Sequence, residues 1–427
     1  MKNPVKNFLY DIKTSFGHVR GNARAVVAVH LFWALPFSLY SPYLTQYMLS
    51  LGCSKAEVGV INAVGMLSGG VIGVFAGWIT DRLGRRRTNL ISDMLSWALT
   101  CLLWGLASNF AWFIAASIAN SFVRLISVSW NCTLVEDTPP DKRANVYWWL
   151  NVIGTLSACF TPLMAIFMGN GDPERLVAVM RSVLLVSAVL NAACFLVRHG
   201  MHRETAIGIA RMEAARHESP LAALKAYPPM FRLLGRSPAL LTFLLLRTLY
   251  FTQMNIKSTF LSVTAVQGLG FQYDIIGVIN LVSGLVMLPA QMVLLRRLRS
   301  VSPMKALAAS LITLLASNIL LALSPAGNTA LLMTSTVLSA IGSVVAGLMV
   351  DAETANAMPD ADRAPLMGMM MVAIVLLSAV FQLLGGWLAE LAGIGPRLPM
   401  GLVALLFAVC LVLLGLAAIK TKTAKTE

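Results

Sequence analysis

The residues of this sequence with the clearest chemical potential are charged side chains inside long apolar segments. Arg124 has Asn120, Ser127 and Asn131 at spacings of four, three and seven residues, so these side chains share one face of a helix. A charged group at bilayer depth costs about 2.5–3.5 kcal/mol and usually faces a cavity or a partner helix. We therefore expect Arg124 either to line a polar cavity or to act as a hub of structural hydrogen bonds.

Further polar side chains within apolar segments complete a predicted cavity lining. Arg247, Tyr250 and Gln253 share one broad helical face, and His30 and Trp33 lie at helical spacing. A free histidine titrates near neutral pH, but one isolated histidine is weak support for a proton relay. The candidate set is His30, Trp33, Asn120, Arg124, Asn131, Asn151, Arg247, Tyr250, Gln253, Asn280 and Gln382.

The charge balance of this predicted lining favours an anionic ligand. Arg124 and Arg247 are cations, whereas Asp93 is the one carboxylate well inside an apolar segment. We expect Asp93 to pair with the arginines just before that segment, because it lies about one helical turn from its start. An anionic or zwitterionic solute is therefore somewhat favoured over a cationic one.

Catalytic and metal-binding constellations are missing from the sequence. A membrane-embedded enzyme needs clustered His, Asp, Glu or Cys at one depth, and His30 with Asp93 makes no such cluster. The 6 cysteines are scattered and form no CxxC pair. We expect no catalytic residue, no metal site and no cofactor, and we leave coupling to protons open.

The composition indicates that helices crossing a membrane position these side chains. Of the 427 residues 57% are hydrophobic and 12% are charged, whereas soluble domains carry about 25% charged residues. Hydrocarbon cannot solvate backbone groups, so each long apolar run must be a helix. The runs cover residues 24–49, 56–80, 88–108, 110–135, 144–169, 174–198, 238–264, 272–295, 303–324, 327–350, 364–391 and 398–419.

The positions of Lys and Arg predict the orientation of these helices. If the N-terminus is cytoplasmic, most of the 33 Lys and Arg residues lie on the cytoplasmic side, and few lie outside. This asymmetry explains the net charge of +14 without a nucleic-acid partner. No cleavable signal peptide is evident. We expect a multi-pass protein of the cell membrane with both termini in the cytoplasm and the lipid bilayer as its surroundings.

The same pattern predicts two bundles of six helices. The predicted segments are a cytoplasmic N-terminal segment (1–23), a first six-helix bundle (24–198), a cytoplasmic linker (199–236), a second six-helix bundle (237–419) and a cytoplasmic tail (420–427). Part of the linker could form an interfacial helix, although a solvated connection is the simpler interpretation.

A short basic loop follows the second apolar run and places one acid among several arginines. The loop residues with a predicted gating role are Gly77, Asp81, Arg82, Gly84, Arg85 and Arg86. Glycines permit a tight bend and a close backbone approach. A carboxylate here could cap a neighbouring helix or pair with a basic residue, and such a bond would hold the cytoplasmic face shut.

This loop resembles the signature G-x-x-x-D-R-x-G-R-R of the major facilitator superfamily. The resemblance implies the fold of that family, in which two six-helix bundles alternate access to one central site. It also implies that Asp81 stabilises the outward-open state. Gly65, Gly69, Gly73 and Gly77 form one stripe on the second helix, which the resemblance places against the eleventh helix.

Acids and arginines recur at corresponding helix ends of the two halves, as expected of an internal repeat. By resemblance we interpret these residues as inner-gate charges, with the acids paired to Arg143 and Arg363. The set is Glu136, Asp137, Arg143, Asp351, Glu353 and Arg363.

The sequence therefore predicts a secondary active or facilitative transporter of a small organic solute, working as a monomer. Export by a proton-coupled drug or metabolite antiporter is the alternative. The segment from Gly154 to Pro162 matches the antiporter pattern poorly, which weakens that alternative. A non-transporting receptor and a membrane-embedded enzyme are more remote.

Overall fold

The computed structural model describes residues 19–168, 172–220, 227–298, 301–358 and 363–423, and these residues form helices and short connections without a strand. The first six long helices are α1 (Gly21–Tyr40, continued through a 3₁₀ turn at Ser41–Tyr43 by Leu44–Ser50), α2 (Lys55–Leu83), α3 (Arg85–Asp93, a π-helical turn at Met94–Leu99, then Thr100–Leu106), α4 (Phe110–Asn120 and Val123–Glu136), α5 (Pro140–Ala158 and Leu163–Met168) and α6 (Pro173–Met201). The next six are α7 (Pro238–Val263, extended by a π-helical turn at Thr264–Gly268), α8 (Asp274–Leu298), α9 (Pro303–Leu323), α10 (Thr329–Ala357), α11 (Arg363–Glu390) and α12 (a 3₁₀ turn at Gly395–Arg397, then Leu398–Thr423). Two short helices, Ala206–Ala214 and Tyr227–Arg236, lie between α6 and α7.

Most of these helices are suited to a bilayer. Within the described ranges, 11 helices are long and apolar enough to cross a membrane. Helix α7 has 26 residues but is not among them, since Arg247, Gln253 and Lys257 lower its hydropathy. The prediction of an all-helical, multi-pass membrane protein is confirmed.

Local signals in the sequence explain where several helices begin. Ser54 and Glu57 form a reciprocal capping box at the start of α2. Asn109 and Asp172 cap α4 and α6 through their side chains. Between α2 and α3 the chain turns at Gly84, whose φ of +83° is readily adopted only by glycine.

Each half of the chain packs its own helices together. In the first half α6 and α5 pack against α1, and α4 packs against α2; in the second, α9 packs on α10 and α12, and α7 on α11 and α12. Across the halves, α2 lies along α11 and α5 contacts α8.

The expected contact of the glycine stripe with the eleventh helix is wrong. A methyl group built at Gly69 would lie 3.2 Å from Cγ of Arg124 on α4, so the stripe faces α4 inside the first half. The close approach to α11 uses another face of α2, since a methyl group at Gly59 would lie 2.5 Å from the carbonyl oxygen of Gln382 and 3.2 Å from Cα of Gly386.

Candidate functional site

A cavity of about 380 Å³ lies between the two halves. It is lined by α1, α5, α7 and α8, and its wall carries Trp33, Phe37, Ser38, Ser258, Ser262 and Asn280 together with smaller and aliphatic side chains. No charged side chain lines it within the described ranges. We call it the central cavity.

Aromatic rings and two unpartnered polar groups give the central cavity its chemistry. The rings of Trp33 and Phe37 are stacked with centroids 5.1 Å apart. Nε1 of Trp33 and Oγ of Ser262 are buried and have no hydrogen-bond partner among the described residues. Because such buried groups are costly unless satisfied, both are available to a bound solute.

A second cavity, of about 340 Å³, lies between α2, α4 and α11. Arg124, Ser127 and Asn131 line it opposite Met367 and Met371. We call it the Arg124 cavity. Its existence agrees with the predicted polar face of α4, but Asn120 points elsewhere and donates to the carbonyl oxygen of Ser96, at 2.8 Å.

Arg124 differs from Arg85, Arg198 and Arg247 in its surroundings. Its side chain packs over Gly69, with Nε 3.3 Å from the position of a built methyl group. Among the ion pairs of the described residues none includes Arg124, whereas Arg85, Arg198 and Arg247 each face a carboxylate. A cation within an apolar helix thus lines a cavity without a countercharge from the part of the chain that the structure describes.

A smaller cavity, of about 160 Å³, lies inside the first half and is lined by His30, Trp33, Asp93 and Arg198. Asp93 pairs with Arg198 of α6, and both side chains are buried. The predicted pairing of Asp93 with the arginines between α2 and α3 is therefore wrong. The reason is geometric, since Asp93 points across the bundle to α6 instead of back along its own helix.

The remaining cavity candidates line none of these three cavities. Arg247 pairs with Asp351 at 3.0 Å, and the Tyr250 hydroxyl donates to the carbonyl oxygen of Ser343 at 3.3 Å. Gln253 is fully buried with its amide unpartnered. Nε2 of Gln382 donates to the carbonyl oxygen of Asn255 at 3.0 Å, and Asn151 is exposed.

The loop between α2 and α3 is the centre of a charge network. Nη1 of Arg85 contacts Oδ1 of Asp81 at 2.8 Å, and its Nη2 contacts Oε1 of Glu136 at 2.9 Å. The loop therefore joins the C-terminal ends of α2 and α4 to the N-terminal end of α3. Arg86 donates to the carbonyl oxygen of His199 at 3.1 Å, and the Arg82 guanidinium lies 5.2 Å from the Trp78 ring.

In the first half, the acids expected to pair with Arg143 have other partners. Glu136 binds Arg85 instead of Arg143, whose Nε donates to the carbonyl oxygen of Thr138 at 3.1 Å. Asp137 accepts from Nδ2 of Asn22 at 2.7 Å, and partial burial raises the pKa of its carboxyl group.

In the second half Asp351 pairs with Arg247, as described above. Glu353 is half-buried at the end of α10. The Arg363 side chain lies outside the described residues, as do residues 359–362.

Sequence reasoning missed Asn22, Glu204 and Arg211, which contact Asp137, the N-terminus of α3 and Asp81, respectively. It also missed Arg198, the partner of Asp93. Glu204 and Arg211 lie in the segment interpreted as a solvated linker, where their charges gave no signal of a specific partner. Within the described ranges no group of three or more His, Cys, Asp or Glu side chains is arranged to hold a metal ion.

Comparisons with known proteins show which family model, which relative and which solved structures this chain resembles. The family model described as Major Facilitator Superfamily matches residues 26–364. A curated relative, the uncharacterized MFS-type transporter YqjV of Bacillus subtilis (strain 168), is 22% identical over 144 residues, which are 33% of this chain and 35% of that protein. The match thus spans about a third of that relative's length.

Several solved structures share the fold at low sequence identity. The nucleoside transporter NupG has a TM-score of 0.71 and 14% identity, covering 93% of this chain and 99% of that one. The human organic anion transporter MFSD10 has a TM-score of 0.65 and 18% identity, covering 92% and 100%. A D-xylose–proton symporter has a TM-score of 0.68 and 12% identity, covering 91% and 96%.

Proposed function

Because the chain belongs to the Major Facilitator Superfamily, it is a membrane transporter and not an enzyme, and we propose that it moves a small organic anion or zwitterion by alternating access. Transport is secondary active or facilitative. The two halves enclose the central cavity, so one chain supplies the whole pathway and we expect the monomer to be the working unit.

The proposed topology has twelve membrane helices with both termini in the cytoplasm. Helix α7 is counted as the twelfth span, because it packs along α11 and α12 and its polar residues face protein. Lys257 supports this view, since its Nζ donates to Oγ of Ser339 on α10 at 2.7 Å. The halves are residues 24–198 and 237–419, with residues 1–23, 199–236 and 420–427 on the cytoplasmic side.

The conformation described here is proposed to be inward-facing. On the proposed outer side, Thr45 donates to the carbonyl oxygen of Thr259 at 3.0 Å, and the Glu390 carboxylate accepts from the backbone N–H of Lys55 at 2.9 Å. None of the ion pairs between described residues joins the first six helices to the last six on the cytoplasmic side. Access is therefore proposed from the cytoplasm.

The observation that carries the substrate class is the uncompensated charge of Arg124. A cation at membrane depth is retained when it serves a ligand, a pathway or a countercharge, and the described residues supply no countercharge within ion-pair distance of Arg124. Arginine binds carboxylates through two parallel hydrogen bonds. A solute carboxylate is therefore proposed to bind Arg124 in the Arg124 cavity, where Met367 and Met371 offer an apolar surface to the rest of the solute.

Solute flux into proteoliposomes tests this proposal. The panel pairs benzoate with benzamide and cyclohexanecarboxylate, and adds neutral amino acids as zwitterions. We expect the carboxylates or the zwitterions to be transported and benzamide to be excluded. Arg124→Gln should lower their flux about tenfold or more, since losing one charge-assisted contact costs about 1.5–3 kcal/mol.

Arg181→Gln is the matched control, because Arg181 donates to the carbonyl oxygen of Ala107 and lines none of the three cavities. Equal flux in the two variants, or transport of benzamide alone, would overturn the substrate class. A parallel assay with an imposed pH gradient addresses the proton-coupled alternative, which requires the flux to follow the gradient.

A further inference from the structure

The segment that follows α6 is built into the cytoplasmic face of the first half. The Glu204 carboxylate accepts from the backbone N–H groups of Arg85 and Arg86, both at 2.9 Å, at the N-terminus of α3. An acid at this position satisfies two unpaired donors and the positive end of the helix. Thr205 donates to Glu136 and also accepts from the N–H of Gly208, at 2.8 Å, which caps the helix Ala206–Ala214.

Arg211 on that short helix reaches the signature loop. Its Nη2 and Nε contact Oδ2 of Asp81 at 2.8 and 3.2 Å, while Oδ1 of Asp81 is held by Arg85 at 2.8 Å. Both carboxylate oxygens are thus engaged, one by the first half and one by the segment that follows α6. The bond to Asp81 raises the pKa of Arg211, which stays charged.

Close packing fits the segment to the loop. A methyl group at Gly84 would lie 2.6 Å from Oε2 of Glu204 and 2.7 Å from Sδ of Met212. A methyl group at Gly208 would lie 3.0 Å from Cδ of Arg85. Such approaches exclude a loosely tethered segment.

We propose that Arg211 is a positioning residue of the transport cycle, which occupies Asp81 in the inward-facing state and so opposes closure of the cytoplasmic side. This inference rests on the proposed alternating access. Asp81 lies at the cytoplasmic end of α2, and α2 is the helix that runs along α11 across the halves. Closure brings Asp81 towards the N-terminal end of α11, whose helix dipole attracts an anion. Arg211 and α11 therefore compete for one carboxylate.

Removing Arg211 should shift the equilibrium towards the closed state. The Arg211 side chain is 49% exposed, and an exposed pair of this kind changes a population ratio by about two- to fivefold. Arg211→Gln should lower the ratio of open to closed molecules by this factor. Arg211→Lys should lower the ratio of open to closed molecules less than Arg211→Gln does, since lysine keeps the positive charge but lacks the planar guanidinium group that donates two hydrogen bonds.

The measurement is the distance distribution between spin labels on Pro139→Cys and Val301→Cys, which are exposed on the cytoplasmic side of the two halves. Arg216→Gln is the matched control, because Arg216 lies on the same segment, is exposed and forms no ion pair with the described residues. Thermal unfolding of every variant shows whether the fold is retained.

A double-variant cycle decides whether the effect passes through Asp81. In an Asp81→Asn background, Arg211→Gln should cause no further shift, because the contested charge is gone. An unchanged shift in that background, or a ratio equal to that of Arg216→Gln, overturns the proposal. The measurement needs no solute. If Arg211→Gln leaves the distance distribution unchanged while solute flux persists, the proposed role of Arg211 is refuted and alternating access is not. If the labels show a single fixed distance and no solute is transported, alternating access itself is refuted.

Discussion

At the scale of single residues, the partners of the arginines distinguish structural from functional positions. The sequence predicted Arg124 as unusual, because a charge with Asn120 one turn before it and Asn131 two turns after it defines a polar helical face. It did not predict that Arg85 binds Glu136 or that Arg198 binds Asp93. Those pairs join helices that are far apart in sequence, and their formation depends on helix rotation that no local pattern encodes.

His202 provides a test of residue-scale electrostatics outside the membrane helices. Burial and the nearby Arg198 charge lower its pKa to about 3, whereas an unfolded chain titrates near 6.5. The unfolded state therefore binds the proton first, and stability falls as the pH drops below about 6.5. At pH 5 this loss is about 2 kcal/mol. His202→Asn should shrink the drop in melting temperature between pH 7.5 and 5, and an unchanged drop would contradict the assignment.

At the scale of helices, apolar runs and capping residues predicted the elements more reliably than their faces. Ser54 begins α2 as its capping box requires, close to the predicted run at residue 56. The stripe through Gly69 was assigned to the wrong neighbour, since small residues permit close contact on any side. Gly59 makes the contact with α11 instead, and a single glycine outside the four-residue repeat gave no periodic signal.

Gly59→Ala should destabilise the interface between α2 and α11. The added methyl group would overlap the carbonyl oxygen of Gln382, at 2.5 Å, and overpacking costs about 1–3 kcal/mol. Gly401→Ala on α12 is the control, because nothing lies within 4 Å of its added methyl group. Thermal unfolding in detergent should show a lower melting temperature for the first variant only. Equal melting temperatures of the two variants would contradict the predicted loss of stability at the interface between α2 and α11.

At the scale of the whole molecule, the two halves are hydrogen-bonded to each other on the proposed outer side, through Thr45 with Thr259 and Lys55 with Glu390. The six-plus-six pattern and the signature loop were enough to predict the family fold from the sequence. The state of the transporter was not predictable, because it depends on a small free-energy difference between two packings of the same helices. The contact of Glu390 with the start of α2 is one of the observations that support the proposed inward-facing state.

Glu390→Gln should favour opening on the outer side. The variant removes a negative charge from the N-terminus of α2, where such a charge contributes about 0.3–1 kcal/mol. Spin labels on Ser108→Cys and Ile394→Cys should show a larger population at long distance, by about two- to fivefold. Glu174→Gln, an exposed acid at the start of α6, should leave the distribution unchanged. A shift of equal size in both variants would assign the effect to charge in general.

The docking of Glu204 and Thr205 changes where this protein can be divided. If the chain were divided directly after α6, the first fragment would lack Glu204, which accepts hydrogen bonds at the N-terminus of α3. It would also lack Thr205, which donates to Glu136. A split after Glu218, whose carbonyl oxygen accepts from Nε1 of Trp78, would carry the whole segment with the first half. Fragment complementation, circular permutation and fusion of reporter proteins therefore all have their natural junction beyond residue 218.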